Sequence, residues 1–277
     1  MCHPSASIDS CLAGLGSYND DMGPAEQPSS TPAPALNEPA VTVVHDNHPC
    51  IDTLKMAWGF SAFVTGFDKT ILFDTGSDGT LLRENLAQLR IDPGRIDVVV
   101  LSHVHGDHTG GLTGLLQENP RVRVYLPESF PLRFKEAVRS YGATVVEIGK
   151  PQEICRGVYT TGVLGRRLQE QALILCTQRG LIVLTGCAHP GIDRIVEEVR
   201  HLRDENILLV MGGFHLEWVT RWRIERIIAA FRRQDVRYVA PTHCSSDKAR
   251  LLFQQSYGPA YLDTGVGKTI TLSDLPT

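Results

Sequence analysis

The chain has 277 residues, of which 42% are apolar and 21% charged, a composition typical of a globular protein with one large domain or two small ones. A formal charge of −4 argues against a nucleic-acid or membrane surface built from bulk charge, so we expect neither partner. No apolar run approaches the roughly 20 residues that span a bilayer. The seven cysteines show no paired spacing and the first residues lack a secretory pattern, so we predict a cytoplasmic location.

The first 40 residues differ in composition from the rest of the chain. Residues 1–40 are rich in Pro, Ser, Ala, Asp and Gly and have almost no periodic apolar face, so we expect a disordered tail. Residues 41–277 are predicted to form one catalytic domain. Its first part holds β-branched runs, at 40–46, 57–66 and 69–76, that predict paired strands. Leucines at helical spacing then predict a helix over 81–90.

From residue 95 onward the chain alternates short apolar runs with helical patterns. The apolar run within 95–103 predicts a buried strand, with a helix beginning near residue 109. Further strands are predicted at 121–127, 144–149, 171–177 and 180–186, followed by a helix at 191–204, a strand at 206–213, a helix at 221–234 and a strand at 236–243. Two mixed sheets packed face to face, with helices outside, would bury such strands on both faces.

The segment LSHVHGDHTGGL, residues 101–112, concentrates potential metal ligands after the buried strand. Imidazole and carboxylate groups together suit zinc, iron or manganese. His103 and His105 point to the same side of an extended segment, so both can bind one ion. Asp107 and His108 follow directly and can reach a second ion. We therefore interpret the segment as a metal site and not as a solvated loop.

The pattern H-x-H-x-D-H after a strand resembles the signature of the metallo-β-lactamase superfamily. LFDTG at 72–76, LTGCAHPGI at 184–192, MGGFHL at 211–216 and PTHC at 241–244 extend the resemblance. Together they look like the branch that includes the archaeal 7,8-dihydropterin-6-methyl-4-(β-D-ribofuranosyl)aminobenzene-5'-phosphate synthase and related metallo-hydrolases. The resemblance implies an α/β fold, a four-layer αββα sandwich, and one or two bound metals.

The resemblance also implies roles for residues outside the histidine-rich segment. Asp74 would orient metal ligands, and His243 would complete the second site with Asp107 and His108. Most of the superfamily takes a third ligand for the first ion from a histidine that this chain lacks, since no histidine lies between residues 108 and 189. We predict that His189 replaces it.

Two further residues of these motifs are given roles as alternatives. Cys187, two residues before His189, is interpreted either as a metal ligand or as a group that orients one, against the alternative of a buried structural cysteine. His215 is interpreted as a catalytic proton donor or phosphate binder in preference to a ligand, because six donors already satisfy two ions.

These residues predict a metal-dependent hydrolase or transferase with a binuclear site. Two divalent ions, expected to be zinc with manganese or iron as alternatives, would generate a hydroxide that attacks a phosphoryl, ester or lactone centre. Asp107 is predicted to accept a proton. Similarity to the synthase implies a small anionic substrate, of which a phosphorylated pterin-like molecule is one candidate. The alternative from a different class is an iron-oxo redox enzyme on the same fold.

Two other patterns compete with this interpretation. Asp74 and Asp263 each begin a D-T-G turn, and two such turns resemble the paired carboxylates of an aspartic protease, a remote alternative that leaves the histidines unexplained. Two groups of arginines could bind an anionic substrate, although we interpret most of them as solvated charge: Arg166, Arg167, Arg221, Arg223 and Arg226. The sequence makes no prediction of oligomeric state.

Overall fold

The computed structural model describes residues 38–276, which belong to one compact unit. The strands in this part of the chain are β1 Ala40–His45, β2 Ser61–Thr65, β3 Ile71–Phe73, β4 Val98–Val100, β5 Arg123–Pro127, β6 Thr144–Ile148, β7 Gln152–Cys155, β8 Val158–Thr160, β9 Leu173–Thr177, β10 Gly180–Thr185, β11 Ile207–Gly213, β12 Tyr238–Thr242 and β13 Thr269–Thr271. The α-helices are α1 Gly79–Gln88, α2 Gly106–Thr109, α3 Leu112–Glu118, α4 Leu132–Ser140, α5 Ile192–Leu202, α6 Arg221–Arg233 and α7 Asp247–Tyr257.

The strands form two mixed sheets. The first sheet has the order β13-β1-β2-β3-β4-β5-β6, and the second has the order β12-β11-β10-β9-β8-β7. In the first sheet β3, β4, β5 and β6 run parallel, and in the second β10, β11 and β12 do so. Because helices connect these parallel strands, both faces of each sheet are covered, which explains the continuous apolar runs in the sequence.

Three apolar clusters define the layers. The central cluster joins side chains of both sheets, for example Val64 and Phe73 of the first with Leu184 and Met211 of the second. A second cluster packs the other face of the second sheet against α5, α6 and α7, and a third packs the first sheet against α1, α3 and α4. The architecture is therefore an αββα sandwich, as the sequence predicted.

Several elements were absent from the prediction. They are α2, α4, α7, β7, β8 and β13. The disordered tail was predicted over residues 1–40. Residues 1–37 lie outside the part of the chain that the structure describes, and β1 begins at Ala40. Within residues 38–276, no helix combines the length and the apolar character needed to cross a membrane.

Candidate metal centre

Loops at the carboxyl ends of strands from both sheets bring the predicted ligands together. From the first sheet, the loop after β4 carries the histidine-rich segment and the loop after β3 carries Asp74. From the second sheet, the loops after β10, β11 and β12 carry His189, His215 and His243. Ligand sites of α/β sheets commonly form at this edge, because the loops there are free of the packing demands of the core.

Three imidazoles form the first cluster of donor atoms. His103, His105 and His189 place one ring nitrogen each within 4.8 Å of the others. His103 Nε2 lies 3.2 Å from His105 Nδ1 and 3.2 Å from His189 Nε2. Nitrogens bound tetrahedrally to one zinc at about 2.0–2.1 Å are roughly 3.3 Å apart, so both distances from His103 Nε2 match those between ligands of a shared ion.

A second cluster lies beside the first. Asp107, His108, Cys187 and His243 place their donor atoms within 4.8 Å of one another. His108 Nε2 is 3.2 Å from Cys187 Sγ, and His243 Nε2 is 3.4 Å from Asp107 Oδ2. The rings of His103 and His108 have centroids 4.2 Å apart, so the two clusters are adjacent. Nitrogen, oxygen and sulfur donors together suit zinc or iron.

Asp74 orients one imidazole of each cluster. Its Oδ2 accepts a 2.7 Å hydrogen bond from His108 Nδ1, which leaves Nε2 of that ring directed at the second cluster. The same oxygen accepts from Ser102 Oγ at 2.7 Å, and Ser102 Oγ accepts from His103 Nδ1 at 2.9 Å. Fixing the outer nitrogen in this way sets both the tautomer and the ring orientation of a metal-binding histidine.

Asn47 performs the same task for His243. Asn47 Oδ1 accepts from His243 Nδ1 at 3.0 Å, and Asn47 Nδ2 donates to the His243 carbonyl oxygen at 3.2 Å. The opposite nitrogen, His243 Nε2, is buried and has no hydrogen-bond partner among the described residues. A buried polar atom without a partner is costly, and a bound cation would satisfy it. The donor set of the second cluster thus fits a metal ion.

Glu170 fixes the loop that carries Cys187 and His189. Its buried carboxylate accepts backbone hydrogen bonds of 2.8–2.9 Å from Cys187, Ala188 and His189. Three consecutive amide donors on one carboxylate hold the loop rigidly and satisfy groups that would otherwise be buried unpaired. Glu170 therefore positions donors of both clusters through the backbone.

A third group of donors extends the site away from the two clusters. Cys187, His215 and Cys244 place their ligand atoms within 4.8 Å of one another, and the two sulfur atoms are 3.4 Å apart. The His215 ring is exposed, with its centroid 4.2 Å from that of His189. His215 therefore lies at the rim of the site, where a bound substrate can reach it.

The backbone at the site adopts conformations that residues with side chains rarely take. Asp74, Ala188, His215 and His243 have positive φ angles of 57°, 61°, 54° and 52° respectively. Left-handed conformations of residues other than glycine cost about 1–3 kcal/mol each and concentrate at functional sites. The surrounding loops hold this strain, and it sets the direction in which the side chains of the site leave the backbone.

The environment of the site sets the charge of its groups. Burial, reinforced by the neighbouring imidazoles, lowers the pKa of His103 well below its usual range, and burial together with His215 lowers the pKa of His189 to about 3. Partial burial opposes ionisation of Asp107, but the adjacent His243 and His108 outweigh it and lower the pKa of the carboxyl. The neutral imidazoles of His103 and His189 and the ionised carboxylate of Asp107 are in the forms that bind metals.

The structure thus brings together the residues of the predicted metal centre. It places Cys187 among the donors of the second cluster, and it places Asp74 behind two imidazoles. Sequence reasoning missed Asn47, Ser102, Glu170 and Cys244 as parts of the site. No spacing signal marks Asn47 and Glu170, which reach the site only through the fold, whereas Ser102 and Cys244 could have been suspected from their places beside His103 and His243.

The two D-T-G turns do not form a carboxylate pair. Asp74 is buried and hydrogen-bonded to His108, whereas the Asp263 side chain is 79% exposed and pairs with Arg250 at 2.7 Å. An aspartic protease needs two carboxylates close enough to share one proton. The αββα architecture and the separate environments of these aspartates argue against that alternative.

Comparison with known proteins agrees with the fold and the motifs. Residues 59–199 match the metallo-beta-lactamase superfamily, and the chain belongs to this family. The match contains the histidine-rich segment, Glu170 and the loop with Cys187 and His189.

Individual relatives include a synthase and a hydrolase. The chain is 29% identical to the 7,8-dihydropterin-6-methyl-4-(beta-D-ribofuranosyl)-aminobenzene-5'-phosphate synthase of Methanocaldococcus jannaschii over 74% of this chain and 85% of that protein. An uncharacterised protein of the same organism is 31% identical over 69% of this chain and 85% of its own length. A solved metal-dependent hydrolase of the β-lactamase superfamily superposes with a TM-score of 0.72 and 27% identity, covering 84% of this chain and 98% of that one.

Proposed function

We propose that this protein is a binuclear metal-dependent hydrolase or transferase that acts on a phosphoryl, ester or lactone centre of a small anionic substrate. One observation carries the proposal: two adjacent clusters of donor atoms converge at the strand ends, and the buried Nε2 of His243, 3.4 Å from Asp107 Oδ2, forms no hydrogen bond within residues 38–276. His103, His105 and His189 would hold one ion. Asp107, His108 and His243 would hold the other, together with Cys187.

The chemistry divides between the bound ions and the side chains. When bound, two divalent ions supply Lewis-acid polarisation of the substrate and make water more acidic. Asp107, which the adjacent His243 and His108 keep ionised, accepts a proton from the attacking water. A hydrogen bond to Cys244 raises the pKa of His215, which favours the protonated form of this exposed ring, the form that donates a proton to a leaving group.

The relatives support both reaction types. The chain is similar to a synthase whose product name contains a pterin and a phosphate, and to a solved hydrolase. A phosphorylated pterin-like molecule is accordingly our first candidate substrate, and zinc our first candidate metal. Because one fold supports many reactions, substrate assays are needed to choose between hydrolysis and transfer.

The sulfur donor in the second cluster favours one other candidate function. Cys187 Sγ lies 3.2 Å from His108 Nε2, and a thiolate among imidazoles also suits iron. An iron-dependent redox enzyme would use the same residues. Metal analysis of protein purified without oxygen separates the two: two irons with redox-dependent absorption favour the redox enzyme, whereas colourless zinc or manganese protein favours the hydrolase.

The proposal is tested by measuring metal content and turnover on one set of variants. We expect two ions per chain after metal-replete expression, and hydrolysis of an activated phosphodiester that a chelator abolishes. His189→Ala should lose one ion and reduce kcat/KM by at least about 100-fold, since a ligand matters no less than the groups that orient it. His201→Ala, an exposed histidine on α5, is the matched control and should change neither quantity.

Two results would overturn the proposal. Substoichiometric metal in the wild-type protein would remove the basis of the site. Full metal content and full activity in His189→Ala would show that this residue is not a ligand.

Turnover of pterin diphosphates, phosphomonoesters, phosphodiesters and lactones by the metal-loaded protein would then rank the substrate classes.

A further inference from the structure

A cavity of about 570 Å³ lies directly against the candidate metal centre. His189 forms part of its wall, and the loop 164–168 and the start of α5 form the rest. Cavities that hold small organic ligands typically measure about 300–1,000 Å³, so this one has room for a substrate that also reaches the metal centre.

The cavity is positively charged in a chain whose formal charge is −4. Arg166, Arg167 and Arg194 line it, and Glu198 is the one carboxylate among its lining residues. All three arginines are exposed, and none forms an ion pair with a carboxylate of residues 38–276. Their guanidinium groups are therefore available to an anionic ligand.

The other arginines noted in the sequence are already engaged. Arg223 pairs with Asp193 at 2.8 Å, and Arg221 pairs with Glu225 at 2.7 Å. Arg226 lies over the ring of Trp222 at 4.8 Å. Arg166 and Arg167, in the cavity, thus have no such partner among the described residues, in contrast to Arg221, Arg223 and Arg226.

The loop that carries Arg166 and Arg167 is fastened to the loop of His189. Leu164 and Glu170 exchange two backbone hydrogen bonds of 2.8 and 3.0 Å, and the Glu170 carboxylate accepts the amide of His189. Gly165 packs on Pro190, where a Cβ atom would lie 3.3 Å from Pro190 Cγ. The arginine loop and the metal-ligand loop are therefore connected to each other, and both line the cavity.

We propose that this arginine cavity, formed by Arg166, Arg167 and Arg194 beside His189, binds a phosphate group of the substrate that is not the group undergoing reaction. Guanidinium groups recognise phosphate through paired, charge-assisted hydrogen bonds. The inference rests on the proposed function, because it takes the metal centre as the place where the substrate bond breaks. It narrows the substrate class to phosphate or diphosphate esters that carry this anionic group beside the reacting centre.

Binding of inorganic phosphate to the metal-loaded protein tests the assignment by isothermal titration. Arg166→Ala and Arg194→Ala should each weaken phosphate binding by about fivefold to tenfold, because each removes one charge-assisted contact. Arg133→Ala removes an exposed arginine of α4, outside the cavity, and should leave the affinity unchanged. Metal content is measured in every variant, because a variant that has lost metal would also lose any phosphate that binds to the metal.

A kinetic comparison adds a second readout. For an ester that carries a separate phosphate, the two cavity variants should raise KM and preserve kcat, whereas the same ester without that phosphate should show an unchanged KM. Arg194→Lys should bind phosphate more tightly than Arg194→Ala and less tightly than the wild-type protein, since lysine keeps the positive charge but lacks the planar guanidinium group.

The outcomes separate this inference from the proposed function. Unchanged phosphate affinity in both cavity variants, in protein that binds two ions and hydrolyses esters, overturns the arginine cavity and leaves the function standing. Weakened phosphate affinity in the variants, together with substoichiometric metal in the wild-type protein, supports the cavity and overturns the function.

Discussion

At the scale of single residues, the geometry of the site depends on the nitrogen that points away from it. His108, His103 and His243 each donate their Nδ1 proton to a fixed acceptor, respectively Asp74, Ser102 and Asn47. The remaining Nε2 lone pair is thereby directed at the donor cluster. Substitution of such partners typically lowers metal affinity or activity by about 10–100-fold.

Asn47→Ala should lower the affinity for one of the two ions by about 10–100-fold, because His243 loses the acceptor that fixes its tautomer. The affinity for the other ion, held by His103, His105 and His189, should stay the same. Competition with a coloured chelator measures both affinities. Asn206→Ala, an exposed asparagine before β11, is the control. Equal loss of both ions would contradict this role of Asn47, since it would indicate general damage to the fold.

At the scale of elements, the glycines after the histidine-rich segment have a packing role. These glycines, Gly110 and Gly111, lie between α2 and α3. In the structure they admit the neighbouring loop 75–77: a Cβ on Gly111 would lie 2.0 Å from the Thr75 carbonyl oxygen, and one on Gly110 would lie 2.2 Å from the Ser77 carbonyl oxygen. Asp74, at the start of that loop, is thereby held against the segment that it orients.

Gly111→Ala should destabilise the protein by at least about 2 kcal/mol, because the added methyl group meets a backbone oxygen that cannot move alone. Gly106→Ala is the matched control, since a methyl group on Gly106 would have no neighbour within 4 Å among the described residues, and alanine favours the helical conformation of α2. Denaturant unfolding of both variants measures the difference. Equal stability of the two variants would show that the 75–77 loop yields to the substitution.

At the scale of the whole molecule, the candidate site joins the two sheets. The loop after β4 supplies His103, His105, Asp107 and His108 from the first sheet, and the loops after β10 and β12 supply donors from the second. Ions bound between these loops connect the sheets at one edge of the sandwich. Metal binding is therefore expected to contribute to the stability of the folded protein.

Removal of metal should lower the thermal stability of the protein and leave its fold intact. An ion present at 100 times its dissociation constant adds about 2.7 kcal/mol to the free energy of unfolding, if it does not bind the unfolded chain. Calorimetry before and after chelation, and again after zinc is restored, measures the shift. A melting temperature that does not depend on zinc concentration would contradict binding between the sheets.

The fold class and the set of donors could be predicted from the order of the residues. The signals are local: apolar runs too short for helices, helical patterns with one apolar face, and the H-x-H-x-D-H motif. Each depends only on the order of residues within a short segment, because the period of a strand or helix and the spacing of ligands are properties of neighbouring residues. The resemblance of the motifs to the metallo-β-lactamase superfamily implied Asp74 as a group behind the ligands, and the histidine that the superfamily has and this chain lacks led to His189 as a third imidazole.

The groups that surround these donors could be found only from the folded chain. Asn47 reaches His243 across 196 positions of the sequence, and Cys244 lies 57 positions from Cys187. Glu170 faces the amides of residues 187–189 because β9 and β10 pair antiparallel. Arg166 and Arg194 line the same cavity because the loop 164–168 lies beside the start of α5. Contacts of this kind depend on how the strands are ordered in the sheets, and no local pattern of residues encodes that order.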